Sequence, residues 1–188
     1  MDATNSAALR FATLHDIPAL VALVTSAYRG DASRAGWTTE ADLLEGERID
    51  PAVLRHDLER ARSKIVVLEQ AGNLLACAHV AEDDGAGYFG MFAVAPALQG
   101  GGIGKRLLAE CERIVQQDWQ LPVMRMTVID VRDALIAFYQ RRGYHRTGVF
   151  KPFPYGDARF GHPKRDDLRF EVLEKSLLET SLPVETTA

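Results

Sequence analysis

Apolar residues recur along the 188-residue chain with two periods, and the switches between them divide it into elements. Residues 9–13 alternate as a short strand. Thr13-Leu14-His15-Asp16 resembles a capping box, with Pro18 in the first turn of a helix that places Ile17, Leu20, Val21, Val24 and Tyr28 on one face. Residues 29–37 read as a loop, and residues 39–44 and 51–62 as short helices around the polar stretch 45–50. Residues 65–70 and 74–82 predict strands joined by the hairpin turn Ala71-Gly72-Asn73; after a turn at 83–87, residues 88–94 predict a third strand, ended by Pro96. A helix follows, with Ile103, Leu107, Leu108, Cys111, Ile114 and Val115 on one face. The nearly continuous apolar run 123–129 predicts a strand buried on both sides. Residues 134–142 are helical and Gly143 ends them; strands at 144–150 and 168–173 close the pattern, joined by the aromatic and Pro/Gly-rich stretch 151–167. The fold class is α+β: a mixed, mostly antiparallel central sheet flanked by helices, with one strand-glycines-helix-strand crossover.

Composition narrows the picture without redirecting it. The length fits one domain, drawn as residues 1–181, with the polar end 182–188 expected to be a disordered tail. Hydrophobic residues make up 47% and charged residues 26%, no apolar run is long enough to span a bilayer, and the first residues lack a signal-peptide pattern. No membrane role is expected, and the default compartment is the cytoplasm. Cys77 and Cys111 lie inside apolar patterns without metal or CxxC spacing, so they read as buried thiols and no metal is expected. A formal net charge of −4 argues against a nucleic-acid partner. The acids within residues 40–50 would suit a cationic amine, but read first as a solvated face.

The candidate chemistry starts at Gln99-Gly100-Gly101-Gly102-Ile103-Gly104-Lys105. A Walker A loop would need glycine where Gln99 stands and Ser or Thr where Arg106 stands. A dinucleotide GxGxxG from Gly100 fails at Lys105, and its chance match at Gly85–Gly90 enters a strand instead of leaving one for a helix. The spacing Q-x-x-G-x-G fits, after a strand and before an amphipathic helix. Free N–H groups at such a helix start form an anion site, and absent Cβ atoms let a pyrophosphate lie against the backbone.

With this loop, and with the strand-helix stretch from Val128 through Phe138-Tyr139 to Gly143-Tyr144, the chain resembles the GNAT N-acetyltransferase superfamily. The resemblance implies that acetyl-CoA lies in a cleft where the strand 88–94 splays from 123–129. It places the pantetheine arm along the backbone of Phe92, Ala93 and Val94, and the pyrophosphate on Gln99, Gly100, Gly101, Gly102, Ile103 and Gly104 near Lys105. Leu135 and Phe138 join that cofactor-binding set. It further implies a backbone N–H near Val94 aimed at the oxyanion, and Tyr139 as the general acid that protonates the CoA thiolate. Arg132 stands where many members have asparagine, and is open between a cofactor or substrate group and pairing with Asp133 or Asp130. The stretch where some members carry a basic glutamate has no carboxylate here; Glu82, Asp83 and His79 are the nearest base candidates, with water as the alternative.

Tyr28 and Trp37, with the aromatics of residues 151–167, are the candidates for acceptor recognition, although Trp37 and Phe153 would equally cover the core or form a homodimer contact. The reading is an acetyltransferase that moves the acetyl group of acetyl-CoA to a small-molecule amine. The rivals are a non-catalytic acyl-CoA sensor of the same fold, O-acylation, or a longer acyl donor.

Overall fold

Strand β3 (Ser63–Gln70) is buried on both faces, and this sets the layers of the molecule. Because successive side chains of a strand point to opposite sides, Ile65 and Val67 meet one helical layer while Val66 and Leu68 meet another. The computed structural model describes residues 6–178, so the tail expected at 182–188 lies outside the described residues. The remaining strands are β1 (Ala8–Phe11), β2 (Leu44–Glu45), β4 (Asn73–Asp83), β5 (Ala86–Val94), β6 (Val123–Ile129), β7 (His145–Pro152), β8 (His162–Pro163) and β9 (Arg169–Ser176). The helices are α1 (Ile17–Tyr28), α2 (Gly30–Ser33), α3 (Pro51–Glu59), α4 (Ile103–Arg113) and α5 (Asp133–Gln140).

Seven strands form one sheet in the order β1-β3-β4-β5-β6-β9-β7, with every neighbouring pair antiparallel except β5 and β6. That parallel pair is the crossover through α4, as the α+β pattern requires. Helices α1 and α3 bury Leu20, Val24 and Leu54 against Ile65, Val67, Cys77 and Ala93. On the other face, Leu107, Leu108 and Cys111 of α4 and Ile136 and Tyr139 of α5 pack on Ala78, Val80 and Phe89. Both cysteines are free and buried, and burial pushes the Cys77 thiol up to about 12. Local chemistry places the ends: the Asp16 carboxylate accepts from the Thr13 N–H at 2.7 Å before α1, and Asp50 accepts from the Ala52 N–H at 2.6 Å to cap α3.

The fold departs from the sequence pattern around the loops. Residues 39–44 form turns, not a helix, and lead into β2, which pairs with β8 as a separate two-stranded sheet. Residues 29–37 contain α2, and α3 stops at Glu59. The apolar face of α4 continues through a wider turn at Ile114–Asp118, keeping Val115 buried. Strand β6 alternates instead of burying every side chain, because Arg125 leaves the core to pair with Glu174 of β9 at 2.7 Å. Among the described residues no helix is long and apolar enough to cross a membrane, and no group of three or more His, Cys, Asp and Glu is placed to hold a metal.

Candidate active site

The parallel pair β5 and β6 touches only at its start, where Gly87 faces Met124 and Tyr88 faces Arg125. Beyond Tyr88 the strands part, leaving one side of β5 open. At the same place the β4–β5 register shifts between Cys77 and His79, and Met91 takes a left-handed backbone at φ 46°. A bulge of this kind re-aims the groups that follow it. The Ala95 N–H donates to the Leu75 carbonyl at 2.9 Å, so by antiparallel alternation Val94 turns its N–H and C=O away from β4 and into the cleft. Two side chains already hold carbonyls of this edge: the Tyr28 hydroxyl donates to Phe92, and Gln99 Nε2 donates to Val94 at 3.2 Å.

Two cavities open along this edge. One, of about 260 Å³, runs past the glycines and is called the loop cavity. Gly100, Gly102, Gly104 and Lys105 form its floor, and Trp37, Phe138 and Leu135 give it apolar walls. Gly100 (φ 87°) and Gly102 (φ 84°) need left-handed backbone, and a Cβ at either would meet nothing within 4 Å, so the ground over them is open. Gly104 serves differently, since its Cβ would come within 2.9 Å of the Phe92 ring. Gly102 caps α4, and Gly104 and Lys105 of its first turn, where backbone N–H groups lack intrahelical partners, line this cavity. The cavity's charged lining is Lys105, Arg132 and Arg142, with no carboxylate, and the buried Nε of Arg142 has no partner. An open glycine floor, cations and an orphaned donor fit the phosphates of a coenzyme, and the Trp37, Phe138 and Leu135 walls fit its less polar arm.

The second cavity, of about 230 Å³, is called the arginine cavity. It shares Tyr28, Phe92, Arg132 and Leu135 with the first, so the two meet across these side chains. Tyr139 lines it from α5, is 4% exposed, and packs edge-on to Phe89 and Tyr144. Among the described residues nothing hydrogen-bonds to its hydroxyl. Burial, with a smaller contribution from Tyr28, raises its pKa well above the ordinary 10.0, so it keeps its proton at neutral pH. Tyr88 lies at the last strand pair, with its hydroxyl 3.3 Å from Thr127 Oγ1. Met91, Met126, Phe153 and Phe160 supply apolar walls.

Arginines dominate the charge of this cavity. Glu40, 5% exposed, accepts from Arg29 at 2.7 Å and from Arg132 at 2.9 Å, and Arg48 stands 3.5 Å from its second oxygen. Burial alone would raise the Glu40 pKa, but Arg48, Arg132 and Arg29 together hold it below the ordinary value. Arg132 also donates to Thr38 at 2.7 Å, and pairs with neither Asp133 nor Asp130. Asp130 pairs instead with Arg169.

Several expected residues lie elsewhere. Glu82 sits at the β4 end in an ion pair with Arg62 and lines neither cavity, because β4 carries it past the bulge toward the hairpin. His79 does line the arginine cavity, but its Nε2 is 2.8 Å from Ser63 Oγ and its Nδ1 faces Asp57 at 3.7 Å; burial lowers its pKa, leaving it neutral. Trp37 borders the loop cavity only, stacked toward Phe138 with ring centroids 5.7 Å apart. Tyr28 borders both. Gly101 lies outside the cavity lining, and Ile103 packs on the core. Glu40 is not part of a solvated acidic face. Arg29, Glu40, Arg48 and Tyr88 carry no local signal; only the match of Tyr28-Arg29 to the end of an amphipathic helix marks the first of them.

The Acetyltransferase (GNAT) family model matches residues 24–144. Among solved structures, the ribosomal-protein-S18-alanine N-acetyltransferase of Escherichia coli superposes with a TM-score of 0.66 at 15% identity, over 97% of this chain and 99% of that one. A ribosomal-protein-alanine N-acetyltransferase of Brucella melitensis gives a TM-score of 0.67 at 21% identity, over 90% of this chain and 99% of that one. A Bacillus anthracis protein solved in complex with acetyl coenzyme A gives a TM-score of 0.54 at 15% identity, over 65% of this chain and 66% of that one. No curated protein matches the sequence significantly. At these identities the structures speak for the fold alone, while the family model covers well over half of the chain and includes the splayed strands, the glycine loop and Tyr139. The chain therefore belongs to the GNAT acetyltransferase family, whose acyl donor is acetyl-CoA.

Proposed function

We propose that the protein acetylates the amine of a small molecule by direct attack in a ternary complex, with Tyr139 as the general acid. Acetyl-CoA supplies a thioester whose acyl group an amine can take. The observation that supports the reading is the Tyr139 hydroxyl, protonated and without a protein partner, in the wall of the arginine cavity on a ring that packs against Phe92, a residue shared by the two cavities. A phenol so held has its proton ready for the leaving sulfur.

The loop cavity holds the donor: backbone of Gly100, Gly102 and Gly104 with Lys105 and Arg142 toward phosphate, and Trp37, Leu135 and Phe138 along the arm. Because the Phe92 and Val94 carbonyls already accept from Tyr28 and Gln99, the contribution of this edge is its donors. The Val94 N–H, fixed in the sheet, is a preorganised dipole for charge developing on the acyl oxygen. The arginine cavity takes the acceptor. Glu40, held ionised among arginines, is a poor base, and His79 has both ring nitrogens turned to Ser63 and Asp57. The amine therefore enters neutral and sheds its proton to water.

A small acceptor is favoured over a protein segment because the arginine cavity, of about 230 Å³ and with Leu44 of the β2–β8 sheet in its wall, has the size of a small molecule. The test is release of free thiol from acetyl-CoA with a panel of small amines and a matched panel of peptides. Turnover on small amines alone is expected. Turnover on peptides alone would overturn the acceptor class, and acetyl-CoA binding without turnover on any amine would favour the sensor.

A further inference from the structure

The arginine cavity is charged in a way that acetyl transfer to a simple amine does not require. Its lining holds three guanidinium groups, Arg29, Arg48 and Arg132, against the single carboxylate of Glu40. Arg29 is 6% exposed, yet its Nε and Nη2 are buried without any partner. Arg48 reaches Glu40 only at 3.5 Å and otherwise lies over the Tyr28 ring, 4.6 Å from its centroid. The other polar side chains facing the cavity, among them Tyr28, Tyr88, Tyr139 and His79, include no second carboxylate. Buried donors without acceptors are costly, and an excess of buried cations repels a second cation.

We infer that the acceptor carries a carboxylate that Arg29 and Arg48 receive, with an apolar body against Met91, Met126, Phe153 and Phe160: an amine of the amino-acid type. The inference rests on the acetyltransferase reading and names the substrate class of the same site. A carboxylate matches the fork of a guanidinium, supplies the acceptors that Arg29 lacks, and brings the local charge toward balance. A purely cationic amine would add to an uncompensated excess.

The probe is 3-phenylpropanoate, which cannot react, titrated calorimetrically against its neutral amide, 3-phenylpropanamide, with CoA-saturated and CoA-free protein. The carboxylate is expected to bind at least about tenfold more tightly. Arg48→Gln should abolish that preference while leaving acetyl-CoA affinity, which also reports that the variant is folded, unchanged, and Arg48→Lys should restore part of it. In turnover, an apolar α-amino acid should exceed its amide by about 100-fold in kcat/KM, compared at equal concentrations of free amine. Equal binding of acid and amide, binding of neither, or a preference that survives Arg48→Gln would overturn the inference. Tighter binding of the matching phosphonate would overturn the carboxylate assignment. A failure of acetyl-CoA to bind would strike the donor-site reading instead, and the CoA-free titration would still decide the anion preference.

Discussion

The two cavities share a wall of Tyr28, Phe92, Arg132 and Leu135 but are built from opposite materials. The loop cavity is made largely of backbone: glycines without side chains, the start of α4, and an open strand edge. The arginine cavity is made of long side chains brought from the end of α1, the segments on either side of β2, strands β5 and β6, and α5 with the residue before it. In the proposed function, backbone reads a feature common to every acyl-CoA, whereas side chains read what differs between acceptors. The contrast teaches where substitutions should be general and where they should be selective.

The largest separation is expected at Tyr139. Tyr139→Phe removes a hydroxyl that no protein group uses, so stability should hold while turnover falls by about 100-fold or more, as for a lost general acid. Steady-state kinetics beside calorimetry with acetyl-CoA would check it; unchanged turnover would remove the acid role. Because burial places the Tyr139 pKa above 10.0, wild-type kcat/KM should rise with the acceptor's deprotonation and show no descending limb from Tyr139 below about pH 10.

Lys105→Glu should act on the donor side alone. Reversing that charge at the loop cavity should raise the KM for acetyl-CoA about tenfold and leave the acceptor KM alone, if phosphates lie there. Equal effects on both constants would break the division between the cavities.

A smaller effect is expected from His79 at the acceptor side. Its folded pKa is lowered by burial relative to the ordinary 6.5, so the folded protein binds fewer protons than the unfolded one below that pH. Its contribution is complete above about pH 6.5 and is lost as pH falls toward the folded pKa, with a slope of at most about 1.4 kcal/mol per pH unit. Denaturant melts from pH 7.5 to 5.5 should therefore show wild type losing more stability than His79→Gln.

The smallest is backbone strain at the loop. Gly102→Ala introduces no clash but forces alanine to φ 84°, which should lower stability by about 1 kcal/mol in a denaturant melt. A neutral result would mean the loop relaxes freely.

The same contrast decided what the sequence could reveal. Residues 88–105 and 128–144 carry strand, glycines, helix and tyrosine in continuous order, so the family resemblance, and with it the expectation of a donor cleft and of Tyr139, was legible in the sequence. Arg29, Glu40 and Arg48 sit in irregular segments, those of residues 40–50 reading as a solvated face, and the burial of Arg29 and Glu40 appears only in the folded chain, where Leu44–Glu45 pairs with His162–Pro163. Two-residue strands have no period to detect. Glu82 was misplaced for a related reason: proximity in sequence to the glycine-side strand does not survive the register shift after Cys77, which decides the residues that face the cleft.

The most direct measurement is an NMR titration of the protein with acetyl-CoA, following the two tryptophan indole signals and the backbone amides. Donor binding in the loop cavity predicts shifts at Trp37, Val94 and Gly100 through Lys105, with Trp119 and the amides around Phe153 and Phe160 nearly still. Shifts centred on Phe153, Phe160 and Arg48, with Trp37 unmoved, would contradict the division of labour between the two cavities.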